Sequence, residues 1–409
     1  MVKNGGDGMQ RLTQATVIGI VEERTALQIV SVELNENREI GQALYYAAGA
    51  MPCRVGDQVL VNTTAVRQGL GTGGYHFIVS KVGAEEADYL PNAWGHIVKM
   101  RYSPLQLTVP AVEEEESPHH SLFLERATET LQHVPVVIGE LHSLLPIICL
   151  AIHNMEHQQS RPLRVAFVMP DGASLPIAIS RHVHQLREQG MLVATVTTGQ
   201  AWGGDLEAIN IYTGLLAARH VAQADVIVCL LGPGVAGTAT RLGFSGMQLV
   251  EVMHAAATLG GVPLVVPRIS FSDQRDRHVG ISHHTITMLS RHLLLPVVLP
   301  LPVFSDSFQS SWVEQQLYLE GILRRHAVVR KKAPDVDALL QLQERYPLLI
   351  ETMGRGIAVD PTPFQAAYCA ASCAARLGEA IASGDASLAS DLPPEALVPY
   401  YADWLNRAM

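Results

Sequence analysis

Val165-Ala166-Phe167-Val168-Met169, Leu192-Val193-Ala194-Thr195-Val196-Thr197 and Val226-Ile227-Val228-Cys229-Leu230-Leu231 are three short apolar, β-branched runs. Each is bounded by turn residues and spaced for a helix to follow it. The alternation fills 164–289. Strands are predicted at 165–169, 192–197, 226–231, 262–267 and 297–301. Helices are predicted at 175–188 (closed by Gly190), 205–222, 247–259 (ended by Gly260-Gly261) and 282–294. Units of this length in this order imply an α/β fold: a mainly parallel sheet with flanking helices and right-handed crossovers. Beyond 302, helical patterns at 313–323, 336–345 and 364–382 are expected to pack on the sheet.

Upstream, the runs at 15–21, 26–34, 58–61 and 76–79 are rich in Val, Ile and Thr and separated by turns such as Asn35-Glu36-Asn37 and Gly56-Asp57. Short strands so closely spaced imply a small β-barrel or sandwich module. The Gly-rich loop from Gly69 to Gly74 reads as a turn between strands, and 96–106 continues the module. Glu113 to Glu116 is a run of four acids, expected to be a solvated linker. The expected division is therefore a β module at 1–112, an acidic linker at 113–121 and an α/β domain at 122–409. Within the last, 122–153 reads as helical and apolar, 158–162 as a loop, and the residues from 384 onward as a capping tail.

Composition narrows the classes. The chain has 409 residues, 48% hydrophobic and 17% charged, enough to bury a large core. A net charge of −10 without a basic run argues against nucleic acid as a partner. The most apolar long run, 134–152, is interrupted by Pro135, Glu140, His142 and Pro146, so no membrane span is expected. Five cysteines lack a second pair at metal-ligand spacing, and buried reduced thiols in a cytoplasmic setting are expected, with no metal ligands assigned.

Three segments can carry chemistry. Gly232-Pro233-Gly234-Val235-Ala236-Gly237-Thr238 satisfies the glycine pattern that brings main-chain amides to a phosphate or carboxylate. Against a dinucleotide, Pro233 removes a donor, two further glycines delay the helix, and the next strand ends at Arg268 rather than an acid. In Thr198-Gly199-Gln200-Ala201-Trp202-Gly203-Gly204-Asp205, Gly203 and Gly204 permit close approach. Asp205 is placed to cap a helix, and Glu207 to sit in its first turn. Trp202 walls a site or plugs the core.

The densest segment holds Ser272, Asp273, Arg275, Asp276, Arg277, His278, Ser282, His283, His284 and Thr285. Arginines here can clamp an anion, and a histidine near Asp273 or Asp276 can act as base or ligand. Adjacent histidines at a helix start point about 100° apart, which works against their sharing one ion. Asp171-Gly172, at the end of the first strand of the alternation, faces a ligand or makes a turn. His182 and His184 read as a solvated helix face.

Several of these stretches together resemble a known family. Asp171-Gly172-Ala173-Ser174-Leu175-Pro176, the segment from Gly199 to Ala208, Gly232-Pro233-Gly234 with Gly237-Thr238, and Arg277 through Thr285 are similar to those of DUF3866, a family of uncharacterised bacterial proteins. Leu70 to Phe77, Gly95 to Tyr102 and Met353-Gly354-Arg355-Gly356 match it too. The resemblance covers nearly the whole chain and implies no activity.

The functional expectation is a pocket over the strand ends for a small anionic molecule. Gly172, Gly203, Gly204, Asp205, Glu207, Gly232, Gly234, Gly237, Thr238, Arg277, Ser282, His284 and Thr285 would bind it. His278, His283, Asp273, Asp276 and Asp171 supply catalytic groups if the protein is an enzyme. No cofactor is assigned. A non-catalytic ligand sensor or assembly module is the alternative, with the β module making a partner or homo-oligomer contact. A metal-assisted hydrolase resting on Asp171, Asp205 and His278 is a third. No Gly-x-Ser-x-Gly elbow is present, which disfavours an acyl-transfer hydrolase.

Overall fold

The Val- and Ile-rich runs at the start of the chain pair into a closed five-stranded barrel. Its strands are β1 (Leu12–Arg24), β2 (Leu27–Leu34), β3 (Ile40–Tyr45), β4 (Gln58–Asn62) and β5 (His76–Lys81), in the order β1-β2-β3-β5-β4. All pairs are antiparallel except β3 with β5. Alternate residues such as Ala15, Val17, Val30, Val32, Val59 and Val61 turn inward and fill the interior. Gly41 leaves room for the buried His76 ring, which would lie 2.9 Å from a Cβ placed there. Strand β3, with polar residues among its apolar ones, is the one the sequence pattern did not reveal.

This computed structural model describes residues 10–46, 51–69, 73–83, 94–155, 161–173 and 175–384. The expected loop positions 70–72 and 158–160, Ser174, and the tail from 385 lie outside them. The chain divides into two compact units: that up to Trp94 with Met100–Thr108, and Gly95–Lys99 with that from Val109 onward.

The second unit is built on an eight-stranded parallel sheet. Its strands are β6 (Pro135–Gly139), β7 (Val165–Met169), β8 (Ala194–Thr198), β9 (Leu206–Ala208), β10 (Val226–Leu230), β11 (Val262–Val266), β12 (Val298–Pro302) and β13 (Ala327–Lys331). Their spatial order is β9-β8-β7-β10-β6-β11-β12-β13. The chain starts in the middle, winds outward through β7, β8 and β9, returns to insert β10 beside β6, and winds out the other way. Apolar clusters lie on both faces. Val137, Phe167 and Val228 point to one, Ile138, Val168 and Cys229 to the other, as strict alternation requires. The helix Thr362–Ser383 lies buried on one face, its run of alanines allowing close approach. Among the described residues, no helix is long and apolar enough to cross a membrane.

Two expectations are corrected here. Residues 122–153 are not helical throughout, because Pro135–Gly139 is the central strand and the helix is Leu145–Met155. A continuous apolar run has no period to distinguish strand from helix. Likewise 205–222 does not begin as a helix. It opens with β9, and the helix Ile211–Leu216 is capped by Asn210, whose Oδ1 accepts from the Tyr212 and Thr213 amides. The acidic run is docked rather than free: Glu113 accepts from the Ile209 amide, and Glu114 from those of Ala111 and His96.

Candidate functional site

Parallel strands present their carboxyl ends along one rim, and a crevice opens where the winding reverses. Here the strands at that point are β7, β10, β6 and β11. The residues following them are Asp171, the Leu231–Gly234 turn, Glu140 and Arg268. Gly139, the last residue of β6, carries no Cβ because one would sit 3.0 Å from Leu230 and 3.2 Å from Val266. A cleft of about 490 Å³ opens over these ends, lined among others by Glu140, His142, Ser180, Gly232, Gly234 and Met353.

Glu140 is the hub of its floor. Its Oε1 accepts from Arg268 at 2.7 Å and from His284 Nδ1 at 3.0 Å, and all three side chains are buried. Burial alone would push this carboxyl up. The His284 hydrogen bond and the Arg268 charge outweigh it and hold the group below the usual carboxylate range. The second oxygen, Oε2, is buried without a partner among the described residues.

His284 belongs to a cluster built by a short antiparallel ribbon, Ile269–Ser270 against Gly280–Ile281. Gln316 pins the ribbon by accepting from the Ile281 amide at 2.8 Å and donating to its carbonyl. Gly280 sits at φ +69°, and a Cβ there would meet the Trp312 ring at 2.5 Å. Ser282 then caps the helix His283–Thr287 and bonds His278 Nδ1 through the same hydroxyl at 2.7 Å. The result brings His278, His283 and His284 together. One ring nitrogen of each lies within 4.8 Å of the others, and the His283 and His284 ring centres are 4.3 Å apart. Their roughly 100° separation around the helix does not keep the rings apart, because His278 arrives from the ribbon to face both.

The hydrogen bonds select the nitrogens. His278 and His284 use Nδ1, toward Ser282 and Glu140, which leaves Nε2 as the free position on each ring. His283 Nε2 is buried with no partner among the described residues. Burial, with Arg268 and Arg275 nearby, pushes His278 down to about 3, and burial with the neighbouring His284 pushes His283 to about 4. Both rings are therefore neutral and hold lone pairs at neutral pH. Phe244 stacks on His284 with ring centres 3.8 Å apart.

A family model described as DUF3866, a protein of unknown function, matches residues 42–371. The chain belongs to the DUF3866 family. No curated protein matches it.

In this DUF3866 chain the residues anticipated from sequence fall into two groups. Gly232 and Gly234 line the cleft. A Cβ on Gly237 would lie 3.9 Å from the His284 ring, and Gly172 borders the same turn at Gly232–Val235. Ser282 and Thr285 support the cluster, Thr285 Oγ1 accepting from the Arg268 amide. No residue from 199 to 208 lines the cleft. Gly203, Gly204, Asp205 and Glu207 lie instead at the β9 edge, four strands from β6. There Glu207 is not in a helix turn. It is buried in β9, held by Lys99, Thr197 Oγ1 and the Gly203 amide. Asp205 caps no helix either; it accepts from the Thr195 amide and hydroxyl and pairs with Arg187. Trp202 is buried.

Asp171 bonds the Gln200 amide at 2.9 Å, and Thr238 bonds within its own loop. Asp273 is committed to Arg275 by two contacts of 2.9 and 2.7 Å, which hold its carboxyl well below the carboxylate range. Asp276 and Arg277 are exposed on the short turn before His278. His182, read as solvated, bonds Tyr346 and lines the cleft.

Glu140, His142 and Ser180, which line the cleft, belong to none of the three segments singled out above. Glu140 and His142 were visible as polar interruptions of an apolar run, which at a strand's carboxyl end is where a ligand group belongs. Ser180 gave no signal of its own.

Proposed function

We propose that this DUF3866 protein is a metal-dependent enzyme acting on a small anionic molecule in the cleft over the strand ends, with His278, His283 and His284 as the metal ligands. The observation that carries the reading is the convergence of three imidazoles, one with a buried Nε2 that has no partner among the described residues. Zinc holds such nitrogens at about 2.0–2.1 Å, which puts them roughly 3.3 Å apart, so closure from 4.8 Å needs only side-chain adjustments. Glu140 accepting from His284 Nδ1 supplies the carboxylate–histidine pairing that fixes tautomer and ring orientation in metal sites. Three ligands leave a position for substrate or water, where an ion acts as a Lewis acid. Asp171 and Asp205, expected beside His278 in a metal site, are engaged elsewhere, so of that set only His278 enters this reading.

The cleft supports an anionic ligand through the main chain at Gly232–Gly234 and the Arg181 side chain on its lining. The test is elemental analysis and titration of the purified protein with zinc and manganese, alongside His283→Ala and His278→Ala. One equivalent of ion, lost in both variants, is expected. No stoichiometric binding, or binding unchanged in both, overturns the assignment. Metal binding without turnover in a substrate screen would favour the sensor reading over the enzyme.

A further inference from the structure

On the lining of the cleft, His142 and Ser180 form a second constellation that needs no metal. His142 Nε2 lies 2.6 Å from Ser180 Oγ, and its Nδ1 lies 3.2 Å from the carbonyl oxygen of Leu231. A carbonyl can only accept, so Nδ1 carries the proton and Nε2 the lone pair. The Ser180 hydroxyl therefore donates to His142. It also accepts from the Val183 amide as the cap of the helix Arg181–Glu188, leaving one lone pair on Oγ. Nucleophile, base and orienting group stand in sequence, the main-chain carbonyl taking the place of an acid. The residues that follow Leu231 are Gly232-Pro233-Gly234, so one turn both orients the imidazole and lines the cleft.

We infer that Ser180 is a nucleophile activated by His142, and that the cleft hydrolyses a carboxylic ester. Leu141, Ile179, Val235 and Met353 line it beside the pair and suit an acyl chain. Ser180 Oγ adds to the ester carbonyl carbon as its proton passes to His142 Nε2. The tetrahedral oxyanion then expels the alcohol, which takes that proton, leaving an acyl ester on Ser180. Water adds to this ester with His142 accepting its proton. Collapse returns the proton to Ser180 Oγ and releases the carboxylic acid. Burial pushes His142 down to about 4, which keeps it in the base form at neutral pH. The inference stands apart from the histidine cluster and does not require it.

The test uses the full chain in a chelating buffer with a fluorophosphonate probe, the adduct being mapped by peptide mass spectrometry. A single adduct on Ser180 is expected. Ser180→Asn retains a capping acceptor for Val183 but no nucleophile, and should fold and lose the adduct. His142→Gln should slow labelling about 100-fold or more. No adduct, an adduct at Ser143 or elsewhere, or Ser180 labelling at an unchanged rate in His142→Gln overturns the inference. Because chelator is present throughout, this outcome is separate from the fate of the metal assignment.

Discussion

Lys99 Nζ lies 2.6 Å from Glu207 Oε2, and both side chains are buried. The ammonium also donates to the Ala201 and Thr197 carbonyls, so its three protons are all used. Such a pair adds little net stability over an apolar one, yet breaking it strands a buried charge. Lys99→Met should therefore cost about 3–5 kcal/mol in urea unfolding. Adding Glu207→Gln removes the stranded charge and should recover part of the loss. Equal stability of Lys99→Met and wild type would contradict the burial described.

Two glycines separate packing from strain. A Cβ on Gly204 would sit 2.9 Å from the Leu206 carbonyl oxygen and the Thr197 nitrogen, both main chain. Gly204→Ala should cost about 1–3 kcal/mol or more, since neither neighbour can move alone. Gly234, at φ +95°, faces open space, so Gly234→Ala meets only the left-handed backbone penalty of about 1–2 kcal/mol. Thermal unfolding of the two variants should rank them in that order, and the reverse order would place the crowding wrongly.

Glu140→Gln probes the hub without removing a ligand. Its amide cannot neutralise Arg268, nor hold His284 as a carboxylate does. Metal affinity measured by competition with a chromophoric chelator should fall about 10–100-fold. Unaltered affinity would mean that Glu140 does not orient His284.

His142 makes stability depend on pH. Its folded pKa, about 4, lies below the unfolded value of 6.5. Between these the unfolded chain binds the extra proton, so stability is fully present above about 6.5 and falls as pH drops toward 4. The shift corresponds to about 3 kcal/mol across that window. Urea unfolding at pH 7 and pH 4.5 should show a smaller drop for His142→Gln than for wild type. Parallel drops would place the titration elsewhere.

The alternation from Val165 onward was readable because each strand is a β-branched run closed by turn residues. That was enough to give five of the sheet's eight strands and their parallel sense. What escaped were the two edge strands, Leu206–Ala208 and Ala327–Lys331, and the strand without periodicity, Pro135–Gly139, and with the last Glu140 and His142. Their contacts with His284 and Ser180 span 144 and 38 positions, and no local pattern records them. The Gly203–Glu207 segment misled for the opposite reason. Its capping residues look local, but Asp205 and Glu207 bond Thr195, Thr197 and Lys99, none of which the helix rule considers.

The central place of Pro135–Gly139 has a cost in time. Its two neighbours in the sheet, Val226–Leu230 and Val262–Val266, are made later than it is. A ribosome adding about 5–20 residues per second needs roughly 5–20 s to cover the ninety or so residues to the first of them. Throughout that wait the most apolar segment of the nascent chain has no strand to join. Chaperone capture during synthesis should therefore centre on residues 134–152.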